Sequence, residues 1–172
     1  MKIDLAKFDY TQCSLDNVDE ILALQEEVIA SLDDPAILRR NTKQMFCDCV
    51  QSPNFTVGVR YGGKLVGLGI LYVPQSEEED LSHLLKGVDI KGKKSANYKL
   101  CMVAKCYRGN GLQVKLGQIL GERAKALGVE LLCATVSPDN EYSRNNMLKM
   151  GFEINDRVAK YGGIRDLFFK FV

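Results

Sequence analysis

The sequence predicts an α/β domain with a mixed central sheet, helices on both faces and a hairpin at its carboxyl end. Three observations carry this. A strand–helix–strand run extends from Tyr98 to Val136, and two strands joined by a helix lie parallel in one sheet. Strand-rich segments that turn on glycines stand on either side of it, and such turns make antiparallel hairpins. An amphipathic helical stripe occupies the amino-terminal part and needs a sheet face to bury it. At 172 residues and 46% hydrophobic, the chain fits one domain, 1–172, with ample material for a core.

Taken in order, Leu15–Leu32 places Val18, Ile21, Leu22, Val28, Ile29 and Leu32 on one helical face, with Gln25 as the gap. Asp16 can cap its start, and Asp33-Asp34-Pro35 ends it. A second helix is expected over Thr42–Gln51, stopped before Pro53. Phe55–Arg60 and Lys64–Val73 form a hairpin around Tyr61-Gly62-Gly63. Gln75–Ser95 is polar and interrupted, a loop with a short helical patch at Leu81–Leu85, and a loop of this length is expected to line a binding site. Tyr98–Ala104 is a buried strand, Gly111–Leu127 a helix ended by Gly128, Glu130–Val136 a strand and Asn140–Met150 a helix ended by Gly151. Phe152–Lys160 and Ile164–Phe171 form the last hairpin around Gly162-Gly163.

Composition narrows the function. With 23 basic and 22 acidic side chains, the net charge is +1. A nucleic-acid binder needs a basic excess or stripe, so that class is excluded. The acidic run Glu77–Asp80 reads as a solvated loop. No segment approaches the roughly 20 apolar residues of a membrane span, and the opening MKIDLAKFDY lacks the apolar stretch of a signal peptide. Six cysteines (Cys13, Cys47, Cys49, Cys101, Cys106, Cys133) show no CxxC pair, and the single histidine, His83, has no ligand-like neighbours. The expectation is a cytoplasmic protein with reduced thiols and no metal.

The chemistry concentrates at Tyr107-Arg108-Gly109-Asn110-Gly111-Leu112-Gln113, which joins a strand to a helix. There, unpaired N–H groups point outwards at the positive end of the helix dipole. Glycines admit a ligand to the backbone. Such a junction suits a phosphate or pyrophosphate, though an ordinary strand-to-helix turn would use glycines too. The dinucleotide fingerprint fails because Val114 stands where its third glycine belongs. The nucleotide P-loop fails at Gly58, Gly63 and Lys64 because Leu65 replaces the magnesium-binding hydroxyl.

These residues resemble the GCN5-related N-acetyltransferase (GNAT) family. Its cofactor motif, Arg/Gln-x-x-Gly-x-Gly/Ala between a strand and a long helix, is matched at Arg108, Gly111 and Gln113. Its second motif, a strand, an Asn opening a helix and then Gly-Phe, is matched by Thr135–Asn140 and Gly151-Phe152. The separation of the motifs and the element order agree along nearly the whole chain. The amino-terminal third agrees only in outline. The resemblance implies a GNAT-like sheet whose parallel strands splay, with acetyl-CoA as acyl donor and an amine as acceptor. Backbone groups of Cys101, Met102 and Val103 would pair with the pantetheine arm. Those of Gly109, Asn110, Gly111, Leu112, Gln113 and Val114 would hold the pyrophosphate, with Arg108 at the mouth. Asn140 and Ser143 would face the arm.

Two departures bear on chemistry. Gln113 replaces a small residue, and phosphate binding survives if its side chain turns outward. Met147 stands where the family's frequent acid is a tyrosine, and Thr135 where some members carry a catalytic glutamate. Proton transfer therefore falls to Tyr142, Glu141 or residues of Gln75–Ser95. The implied function is an N-acetyltransferase acting by direct attack in a ternary complex. The alternative is a non-catalytic acyl-CoA-binding or sensor domain on the same fold. Acceptor, acyl-chain preference and oligomeric state, a homodimer included, stay open.

Overall fold

The computed structural model describes residues 1–172. Its elements, in chain order, are β1 (Asp9–Gln12), α1 (Val18–Ala30), α2 (Lys43–Cys49), β2 (Phe55–Tyr61), β3 (Lys64–Tyr72), β4 (Ser95–Val103), α3 (Leu112–Ala126), β5 (Leu131–Val136), α4 (Glu141–Lys149), β6 (Glu153–Lys160) and β7 (Gly163–Phe171). The strands form one seven-stranded sheet in the order β1-β2-β3-β4-β5-β7-β6. Every neighbouring pair is antiparallel except β4–β5. The mixed sheet expected from the strand–helix–strand run is therefore present, with α3 as its crossover.

Each face of the sheet has its own apolar layer. On one side Leu112, Leu116, Leu120 and Ala124 of α3, joined by Met147 of α4, pack on Val57, Val59, Leu71, Ala96 and Tyr98. On the other, Val18, Ile21, Leu24 and Val28 of α1 and Phe46 and Cys49 of α2 pack on Leu65, Leu68, Ile70 and Met102. Gly69 of β3 lets α3 approach closely, since a Cβ there would lie 3.1 Å from Leu120 Cδ1.

The parallel pair holds for only three registered positions, Ser95–Leu131, Ala96–Leu132 and Asn97–Cys133. Beyond them β4 and β5 diverge. A register shift opposite Ile70 and Leu71 marks a bulge near Lys99 in β4. Bulges bend and twist the strand that carries them, so β4 continues along β3 while β5 follows β7. The result is a cleft between two strands of one sheet.

The structure corrects several local expectations. Ser14, not Asp16, caps the amino-terminal helix region, in a reciprocal box with Asn17. β1 is an additional strand, four mostly exposed residues that exist by pairing with β2, so no periodicity announces it. The last hairpin turns on Tyr161-Gly162 rather than Gly162-Gly163, because Gly163 already pairs with Lys160. Residues 75–94 do not line the cleft. Leu81, in the turn Leu81–Leu84, instead packs on Leu131, Cys133, Leu167 and Phe169. That contact covers the part of the sheet that α1 and α2 do not reach.

Candidate active site

The cleft has two connected lobes of about 1040 and 750 Å³, and Cys101, Gln113, Asn140 and Ser143 border both. The larger lobe runs past Val103 and Arg108 to Tyr142 at the start of α4. The smaller lies between β4, Thr135–Ser137 and a wall made by Ile37–Asn41 and Tyr161.

In β4 the direction of the backbone groups alternates. Ala104 donates its N–H to Val66 O at 2.8 Å, so Met102, two residues back, also turns its backbone to β3. Its side chain is buried on the α1 side. Met102 borders the larger lobe, but its backbone is engaged by β3. Cys101 and Val103 turn their amides into the cleft. Arg108 does not reach for solvent: its Nε donates to Val103 O at 3.0 Å and its terminal nitrogen to Ser31 Oγ at 3.0 Å. This ties the loop to the strand and to the end of α1.

The loop itself forms as an anion site requires. Gly109 and Gly111 have φ of 81° and 78°, a left-handed conformation that glycine adopts at no steric cost. Gly111 opens α3 without a side-chain cap, and the first turn holds no acidic residue. Lys115 is the first helix residue to find a main-chain carbonyl, Gly111 O at 3.0 Å. The N–H groups of Leu112, Gln113 and Val114 stay open at the positive end of the helix. The Asn110 side chain is turned inwards, accepting from Ile3 N–H at 2.7 Å and donating to Tyr107 O at 2.9 Å, so only its backbone faces the loop.

Gln113 is a further correction. Its side chain turns in, not out, donating to Ser143 Oγ at 3.1 Å and accepting from Asn146 at 2.9 Å. The amide where a small residue was expected therefore pins α3 to α4, and the Gln113 backbone N–H makes no bond within the protein, so the loop keeps this donor with the side chain turned in. Asn140 caps α4, its Oδ1 accepting from Ser143 N–H at 3.1 Å. Its side-chain amide nitrogen makes no bond within the protein and is left for a ligand.

A model of the acetyltransferase (GNAT) family matches residues 18–152. The chain belongs to that family. Solved acetyltransferases have the same fold. One from Streptococcus pneumoniae, also described as of the GNAT family, aligns with a TM-score of 0.72 at 18% identity, over 96% of this chain and 99% of its own. A ribosomal-protein-alanine N-acetyltransferase from Brucella melitensis gives 0.72 at 16%, over 95% and 99%. The Salmonella typhimurium protein yncA, solved with its cofactor acetyl-CoA, gives 0.69 at 15%, over 96% and 93%. A search of curated proteins gives no match.

In this GNAT protein Met147 is buried in the core beside α3 and borders the smaller lobe. The proton-transfer candidates Tyr142 and Glu141 border only the larger lobe. The Tyr142 hydroxyl accepts from the Gly109 N–H at 3.4 Å, which puts it over the glycine loop. The hydroxyls in the smaller lobe belong to Tyr98, Thr135, Ser137, Ser143 and Tyr161. Tyr98 Oη is buried without a partner, and burial raises its pKa well above the usual tyrosine value. Burial likewise pushes the Cys101 thiol up to about 12, which disfavours its thiolate form. Sequence reasoning missed the wall Ile37–Asn41. The gap residue Gln25 positions it, donating to Asn41 O at 3.0 Å and accepting from Asn41 N–H at 2.8 Å. A buried glutamine in an apolar stripe was the available signal.

Proposed function

We propose that this acetyltransferase moves an acetyl group from acetyl-CoA to a primary amine by direct attack in a ternary complex. The observation that carries the reading is the splay. It leaves inward-facing backbone groups on Cys101 and Val103, next to the open amides of Leu112–Val114. In this reading the amide-rich pantetheine arm fills the gap as a substitute strand. The pyrophosphate lies on the helix start, and Asn140 and Ser143 flank the arm.

The thioester then sits where the two lobes meet. The Val103 N–H polarises its carbonyl as an oxyanion donor. The neutral amine nitrogen attacks the carbonyl carbon, a C–N bond forms and the C–S bond breaks. The sulfur leaves as thiolate, and the proton that the amine nitrogen loses is relayed to it through water, with the Thr135 and Ser137 hydroxyls lining that lobe. A thioester is already activated, so positioning supplies most of the rate. Met147 cannot supply a proton, and that keeps a second reading, acyl-CoA binding without turnover.

Two measurements test these readings. Calorimetry is expected to show acetyl-CoA binding in the micromolar range, about −8 kcal/mol, and no heat at high micromolar cofactor would remove both. Thiol release over a panel of amines, amino acids and peptides is expected to find an acceptor. Binding with silence across the panel favours the sensor.

A further inference from the structure

The smaller lobe has a one-sided charge. Its lining includes Arg39, Lys99 and Arg165 and no aspartate or glutamate. All three stand outside the protein's ion pairs. Two rest on aromatic rings instead: Arg39 lies 4.2 Å from the Tyr161 ring centre and Lys99 4.6 Å from that of Tyr72. Arg165 donates to Ile37 O at 3.3 Å and Ala36 O at 3.5 Å, while its Nε is buried with no partner.

Asp139 and Glu141 border only the larger lobe, and two other carboxylates are committed elsewhere. Asp166, the next residue along β7, is held by Arg144 at 2.7 Å and Arg157 at 2.9 Å. Glu79, whose charge reaches Lys99, accepts from the Tyr72 hydroxyl at 2.9 Å and Gln75 N–H at 2.8 Å, on the loop outside the cleft. Burial lowers the Lys99 pKa, and the like charges of Arg39 and Lys160 add to this against the pull of Glu79 and Cys49. Tyr161 is also the only non-glycine residue at positive φ, 55°. That conformation costs about 1–2 kcal/mol for a residue with a Cβ, yet here it sets the ring beneath Arg39.

Resting on the acetyltransferase reading above, we infer that the acceptor is an amine that also carries an anionic group, a carboxylate or a phosphate, held by Arg39, Lys99 and Arg165. Two physical effects act together. The unpaired cations attract the anion strongly because the lobe is partly screened from water. The same cations disfavour an ammonium ion beside them, so they lower the pKa of the bound amine towards the neutral form that attacks the thioester. Simple alkylamines and polyamines offer only the charge the lobe repels.

The test compares acceptors of the same skeleton with and without the anion, at a pH series that allows for their different amine pKa values: glycine with glycinamide, phenylalanine with phenylalaninamide, and phosphoethanolamine with ethanolamine, plus spermidine. Each is measured by thiol release from acetyl-CoA and by calorimetric binding to the protein–CoA complex. The anionic member of at least one pair is expected to be favoured by about tenfold or more, and the pair that responds tells carboxylate from phosphate. Arg39→Gln and Lys99→Gln should each reduce that ratio severalfold while the acetyl-CoA Kd stays within about twofold. The inference is overturned if no anionic member is favoured by either measurement, or if spermidine is. It is equally overturned if the two variants weaken acetyl-CoA as much as the acceptor, for then the cations serve the cofactor's phosphates. Absence of acetyl-CoA binding by the wild-type protein is a separate result, which removes the acetyltransferase reading itself and this inference with it.

Discussion

Gly111 is where one residue decides whether the loop can work. At φ 78° it opens α3, and a Cβ built there meets nothing within 4 Å. Alanine would thus suffer backbone strain alone. Valine adds a branched side chain over the helix start, where the pyrophosphate is proposed to lie. Gly111→Val is expected to weaken acetyl-CoA binding at least tenfold, about 1.4 kcal/mol, with Gly111→Ala weakened less. Calorimetry on the folded variants checks this, and unchanged affinity in Gly111→Val would show that the phosphates bind elsewhere. The glycine loop was legible in the sequence because positive φ selects glycine and the spacing is local. The orientation of Gln113 was not. Whether an amide turns out to water or in to Ser143 and Asn146 depends on a helix 30 residues away in the chain, and buried partners favour the inward state.

At the scale of elements, α1 is locked onto β2 by more than its apolar stripe. Both terminal nitrogens of Arg60 donate to the two oxygens of Glu20 at 2.8 Å. The Arg60 bonds, helped by one from Asn17, hold the Glu20 carboxyl down to about 2, against an ordinary value of 4.5. A depressed carboxyl stabilises the fold fully above its unfolded pKa and loses that contribution as pH falls through the folded value. Glu20→Gln should therefore cost about 0.5–1 kcal/mol at neutral pH, the discounted worth of a partly exposed bidentate pair. The deficit relative to wild type should shrink between pH about 5 and about 2. Urea unfolding at a series of pH values measures it, and a deficit that does not change with pH would assign the effect to packing. The amphipathic stripe of α1 was readable, since period alone reveals it. The strand β1 and the wall Ile37–Asn41 were not, because polar or irregular segments owe their shape to partners far along the chain.

For the whole molecule, the decisive feature is a sheet joined across its middle by three registered pairs. A ligand that bridges β4 and β5 should add to the stability of the whole, because it binds the folded state alone. At one hundred times Kd, acetyl-CoA is expected to contribute about 2.7 kcal/mol and to raise Tm by roughly 5–10 °C for a chain of this size. Thermal unfolding with and without cofactor measures the shift, and none at saturation would mean that the cleft does not take it. The sequence by itself determined the element order from α1 onwards, the parallel crossover, the two glycine hairpins and the glycine loop that opens α3, because periodicity, turn chemistry and helix starts are properties of contiguous residues. Only the tertiary structure decided where the bulge near Lys99 parts the strands and which backbone groups face the gap. It also brought Arg39, Lys99 and Arg165 into one lobe. Those cations come from three distant segments, and charges that meet only through folding leave no pattern along the chain.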